Sequence, residues 1–118
     1  MEIGLRKEKD IMIASVTGRM DAVTAPEFNK TILDLISKGE KTFLINLAGL
    51  NHISSAGLRC ILVLAKRINP EKGEIIFTGL HGAVKETFHT SGFLSIFRTY
   101  DSEEAALKSF RTCISSHL

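Results

Sequence analysis

Ser54 and Ser55 stand side by side in the stretch HISSAGLRC, residues 52–60, just ahead of Ala56, Gly57 and an apolar run. A serine hydroxyl at such a junction can do three things. It can accept a hydrogen bond from a free N–H of a first helical turn, worth about 0.5–2 kcal/mol. It can act as a nucleophile if a base takes its proton. It can carry a phosphate, whose charge of about −1.5 to −2 at pH 7 is received by the free N–H groups and dipole of a helix start.

The nucleophile reading lacks its partners. A nucleophile elbow has the form G-x-S-x-G. Around Ser55 the chain reads I-S-S-A-G, without the first glycine, and Leu58 stands where an S-x-x-K motif needs lysine. His52 is close in sequence, but no carboxylate is placed to orient it. The chain has no G-x-x-x-x-G-K-S/T loop, so a nucleotide-hydrolysing protein is also disfavoured. Catalysis is not expected. Cap and phosphate acceptor remain, and they are compatible at one helix start.

Other chemistry is sparse. His52, His81, His89 and His117 form no H-x-x-x-H or H-E-x-x-H pair, and Cys60 and Cys113 lie at neither ligand nor C-x-x-C spacing. Neither a metal nor a cofactor is expected. With 15 basic and 13 acidic residues the net charge is +2, too mild and too scattered for nucleic acid. A chain of 118 residues, 44% of them hydrophobic, suits a single domain, 1–118, with an ordinary core. No run approaches the roughly 18 apolar residues of a membrane span, and MEIGLRKEKD is not a signal peptide. These features predict a cytoplasmic protein without membrane insertion.

The serines must be positioned by an alternating framework. EIGLRKEKD and IMIASVTG read as two strands around a polar turn near Glu8–Asp10, the second covered on both faces and ended by Gly18. Thr24 and Glu27 make a T-x-x-E capping box for a helix of three to four turns carrying Phe28, Ile32, Leu35 and Ile36, with Pro26 in its first turn and Gly39 as its stop. KTFLINL reads as a buried strand and AGLNHI as a loop. A helix then starts at the serines, with a core stripe of Leu58, Ile61, Leu62, Ala65 and Ile68, and NPEKG ends it. EIIFTG is a strand. HGAVKETFHTSG is a helix with Val84 and Phe88 inward and Gly92 as its stop. LSIFRTY is an edge strand. The last helix is capped by Asp101 or Ser102 and packs Ala106, Leu107, Phe110 and Ile114. The order predicts an α/β fold: a mixed, mostly parallel sheet of about five strands with about four helices, chiefly on one face.

On that map the serines lie past the carboxyl end of a buried strand, the edge where open α/β sheets place their function. Gly57 would let a partner or phosphate approach. The outer face of the serine helix carries Arg59, Val63, Lys66 and Arg67, of which Arg59 lies one turn from Ser55. Asp21 precedes the first helix at the same edge, as a turn former or a polar contact for a basic partner.

The segments GRMDAVTAPEF (18–28), FLINLAGLNHISSAGLRCIL (43–62) and DSEEAALKSF (101–110), in this order, resemble the STAS domain of SpoIIAA-like anti-sigma factor antagonists. Gly18, Asp21, Thr24 and Ala25 match a G-x-x-D-x-x-T-A segment, and S-S-A-G-L matches a D-S-S-G-L-like run. The resemblance implies a non-catalytic module. It would bind an anti-sigma factor that is a serine kinase, so freeing a sigma factor, and be switched by phosphorylation and by a serine phosphatase. It places the phosphoserine on Ser55, with Ser54 as the second candidate. Ser54 occupies the position of the family's aspartate, Ala56 that of its following serine, and Asn46 that of an acid common at the end of the buried strand. The partner-binding set so implied is Asp21, Thr24, Ser54, Ser55, Ala56, Gly57, Arg59 and Val63. A STAS subunit of a lipid-transport type assembly, or a binding module that is never phosphorylated, is the alternative within the same fold.

Overall fold

The structure, a computed structural model, describes residues 1–68 and 73–116, with side chains described as far as Phe110. Strands β1 (Glu2–Glu8) and β2 (Ile11–Met20) form an antiparallel hairpin whose turn holds Lys9 at φ 56°. Helix α1 (Ala25–Ser37), β3 (Thr42–Ile53), α2 (Ser55–Ile68) and β4 (Glu74–Thr78) follow in alternation. Helices α3 (Gly82–Thr90) and α4 (Phe93–Ile96) lead to the short edge strand β5 (Arg98–Tyr100), and α5 (Glu103–Ser116) closes the chain. The sheet order is β1-β2-β3-β4-β5, parallel from β2 onward.

The period-two alternation of β2 sorts its side chains between two layers. Met12, Ala14 and Val16 face the larger core, with Phe28 and Ile32 of α1 and Ile61, Leu64 and Ile68 of α2. Ile11 and Ile13 face a smaller core with Leu44, Ile76, Ala106 and Phe110. Helices α1 to α4 therefore cover one face and α5 alone covers the other. Four phenylalanines, Phe77, Phe88, Phe93 and Phe97, join α3, α4 and β4 through edge-to-face contacts with centroids 5.3–5.4 Å apart.

Five features differ from those expected. Gly18 does not end β2. It takes φ 96°, and the pairing register shifts between Gly18 and Arg19, so the strand bends and runs on to Met20. The segment AGLNHI is not a loop: β3 continues beside that extension of β2 and buries Leu50 and Ile53. The stripe of α2 is centred on Gly57, Ile61, Leu64 and Ile68, with Leu58, Leu62 and Ala65 half-buried at its flanks. The residues ahead of β5 form α4 rather than strand, because the helical turn delivers Phe93 and Phe97 to the aromatic cluster. The fifth concerns the box at α1 and belongs to the site below. Ser102, not Asp101, caps α5, its Oγ accepting the Ala105 N–H at 3.1 Å. The expected terminator Asn69–Pro70 and the side chains of Cys113, Ile114 and His117 lie outside the described residues.

Candidate functional site at the start of helix α2

Two strand ends build the site. Met20 and Ile53 are register partners at the ends of β2 and β3, and the Met20 carbonyl accepts the Ser54 N–H at 2.9 Å. That bond ties the start of α2 to the loop that begins at Asp21.

The paired serines divide the work. Ser54 is the cap: its Oγ accepts the Gly57 N–H at 3.3 Å, and its carbonyl accepts the Leu58 N–H at 3.0 Å. Ser55 is the first helical residue, exposed, and its hydroxyl has no hydrogen-bond partner among the described residues. Its position beside the free N–H groups of the first turn places it where an anion is favoured.

Gly57 clears room inside the protein, not outside, which corrects the expected reason for a glycine there. It is buried, and a Cβ on it would lie 2.8 Å from Ile53 Cγ1 and 3.0 Å from the Met20 carbonyl oxygen. The glycine lets α2 start directly on the two strand ends.

The capping box of α1 stands one turn earlier than T-x-x-E implied. Thr24 makes no side-chain cap. Instead Asp21 Oδ1 accepts the N–H groups of Val23 and Thr24 at 3.0 and 3.1 Å, and Thr24 Oγ1 accepts the Asp21 N–H at 2.9 Å. This is a reciprocal D-x-x-T box, with the Ala25 N–H already bonded to the Asp21 carbonyl at 2.8 Å. Aspartate is a stronger cap than threonine, and its advantage moves the start of the helical turn back. The Thr24 and Val23 backbone N–H groups hold the Asp21 carboxyl below the usual carboxylate range, with the Thr24 hydroxyl and Arg19 adding to the effect. Asp21 and Thr24 thus shape the loop beside Ser54.

Between α1 and α2 runs a shallow groove of about 330 Å³. Ala56, Arg59, Cys60 and Val63 form its α2 wall, facing Ala22, Pro26 and Asn29. Of the residues expected to meet a partner, Ala56, Arg59 and Val63 share this groove and Ser55 stands at its α2 end. Val63 is 50% exposed, and Val23, in the capping-box loop ahead of α1, is 86% exposed. Sequence reasoning missed Ala22, Pro26 and Asn29. Cys60 points between the helices, its thiol 3.4 Å from the Ala25 carbonyl and pushed up by burial, which makes it a poor nucleophile. Among the described residues no group of histidines, cysteines or carboxylates could hold a metal ion.

The model of the STAS domain family matches residues 2–106. The chain belongs to the STAS domain family. A Bordetella bronchiseptica relative, BtrV, named as a candidate anti-sigma factor antagonist, is 35% identical over 97% of this chain and 98% of its own. A Thermotoga maritima candidate anti-sigma factor antagonist superposes with a TM-score of 0.88 at 20% identity, covering 92% of this chain and 94% of its own. SpoIIAA, solved both unphosphorylated and phosphorylated, superposes with TM-scores of 0.74 and 0.73 at 18% identity. Those superpositions cover 93% and 92% of this chain, and 98% and 99% of SpoIIAA. By homology this STAS domain falls within the anti-sigma factor antagonist family. No helix among its described residues is long and apolar enough to cross a membrane.

Proposed function

We propose that this STAS domain captures an anti-sigma factor that is a serine kinase, through the start of α2 and the groove it shares with α1. Capture frees a sigma factor, and phosphorylation of Ser55 ends it until a serine phosphatase removes the group. The observation that carries this reading is the division of labour at the paired serines. Ser54 is occupied as the cap, while Ser55 presents a free, exposed hydroxyl at the first helical position.

The physics of a switch follows. A phosphate on Ser55 adds about −1.5 to −2 charge beside free helical N–H groups, so the fold accepts it. The same charge, next to the half-apolar groove, forces any partner surface that had covered it to desolvate an anion. Ser54 in place of an acid removes a like charge that would otherwise neighbour the phosphate. Arg59, one turn along on the same helix, supplies an opposite charge for an acidic partner surface.

The test is incubation with a cognate anti-sigma factor kinase and ATP, followed by peptide mass mapping of residues 43–67. Phosphate on Ser55, abolished by Ser55→Ala and retained in Ser54→Ala, is the expected result. Binding without phosphate on either serine would replace the switch by a constitutive contact, as in a transporter-associated domain.

A further inference from the structure

We propose that two copies of this chain pair edge to edge through β1, as a two-fold antiparallel ribbon centred on Gly4, so that the two sheets become continuous. β1 is an outer strand, hydrogen-bonded to β2 alone, and its other side presents a row of backbone donors and acceptors. Three features of its sequence then need an explanation that a single copy does not supply.

The first is Gly4. It sits mid-strand, takes no left-handed conformation, and a Cβ on it would meet nothing within 4 Å. Within one chain nothing asks for glycine there, and glycine weakens a strand. At a two-fold centre a glycine spares two like side chains from standing directly opposite each other.

The second is Leu5. It lies opposite Ala14, on the helix-bearing face of the sheet, yet is 48% exposed. Ile3, opposite Val16, shares that face and packs against the core. The apolar layer therefore runs past β2 and ends uncovered.

The third is the order of charges. A two-fold antiparallel pairing sets one residue opposite its own copy, and the choice of that residue determines every other pair. Centred on Gly4, Ile3 faces Leu5 of the second copy and Glu2 faces Arg6. Apolar thus meets apolar on the helix-bearing face, while opposite charges meet on the α5 face. Centred on Leu5, Ile3 would face Lys7 and Glu2 would face Glu8. Centred on Arg6, two guanidiniums would face each other. Arg6 already bonds Glu103 at 2.7 Å, and its five N–H donors leave room for the carboxylate of Glu2.

A ribbon of one strand per copy falls at the small end of protein interfaces, so the association is weak and concentration-dependent. It uses none of the residues placed at the α2 site, and its test is independent of that reading.

Sedimentation equilibrium over a concentration series tests it, with the fold of each variant checked by circular dichroism. The wild-type chain is expected to dimerise reversibly, and Leu5→Lys to raise the dimer dissociation constant about tenfold or more. In a Cys60→Ala, Cys113→Ala background, Gly4→Cys is expected to form a disulfide-linked dimer with oxidised glutathione, because opposed residues bring their Cβ atoms near disulfide distance. Lys7→Cys in the same background is expected to form no disulfide-linked dimer, because its copies stand far apart across the ribbon. A wild-type chain that is monomeric at every soluble concentration overturns the proposal. So does a dimer indifferent to Leu5→Lys, or equal trapping at Lys7 and Gly4.

Discussion

Two adjacent serines hold different offices here, and the difference is measurable. Ser54→Ala removes a cap that bonds the Gly57 N–H and is expected to cost about 1 kcal/mol in denaturant unfolding. Ser55→Ala removes an exposed, unbonded hydroxyl and should stay within about 0.5 kcal/mol of wild type. Ser55→Asp places a carboxylate at a helix start and should raise stability by about 0.3–1 kcal/mol at low salt. A larger loss at Ser55 than at Ser54 would reverse these assignments. Gly57→Ala is expected to cost about 1–3 kcal/mol, since its methyl group would press on Ile53 and the Met20 carbonyl oxygen. The need for a small residue at 57 was legible in the sequence; its direction was not. Only the approach of β2 and β3 beneath the helix shows that the glycine faces inward. The capping box was misplaced for a related reason. T-x-x-E and D-x-x-T overlap at Thr24, and spacing alone does not say which carboxylate or hydroxyl reaches which N–H.

Helix α5 is docked by a polar clasp that the apolar pattern does not reveal. Glu103 accepts hydrogen bonds from Asn46 Nδ2 of β3 at 2.6 Å and from Arg6 of β1 at 2.7 Å, while Asn46 Oδ1 accepts the Ala48 N–H at 2.9 Å. The Asn46 and Arg6 bonds hold the Glu103 carboxyl below the usual carboxylate range. Asn46, read from sequence as a missing acid, is thus a donor that a carboxylate on α5 requires. Asn46→Asp would set two carboxylates against each other. A loss of about 1–3 kcal/mol near neutral pH is expected from thermal unfolding, and no change would contradict the clasp. Because the folded-state value of Glu103 is lowered, its contribution is present above the ordinary carboxylate value and is lost as pH falls through the lowered one. Glu103→Gln should therefore flatten the stability profile as pH falls below the ordinary carboxylate range; an unchanged slope would assign that limb to other groups. The strands and long helices themselves were legible, because apolar runs and three-to-four spacing report burial directly. Their ends were not: β2 passes Gly18, and β3 passes Gly49 and Asn51, because each finds its hydrogen-bond partners in the other.

The molecule as a whole separates support from surface. Two cores hold the sheet, the carboxyl ends of β2 and β3 carry the start of α2, and the α1–α2 groove opens beside Ser55. The alternation of strands and helices announced that arrangement, and the motifs around Asp21 and Ser55 fall together at the carboxyl ends of β2 and β3. The groove was less legible because its two walls, residues 22–29 and 56–63, are distant in the chain and meet only once α1 and α2 pack. Its exposed apolar Val63 predicts a second measurable effect: Val63→Asp should weaken partner capture at least about tenfold while leaving the stability of the free domain within about 0.5 kcal/mol. Titration calorimetry against a cognate anti-sigma factor kinase would read it. The same titration decides the central claim. The unmodified domain and Ser55→Ala are expected to bind, and the domain phosphorylated on Ser55 to bind at least about a hundredfold more weakly with its fold intact. Equal affinity for the free and phosphorylated forms would contradict the account.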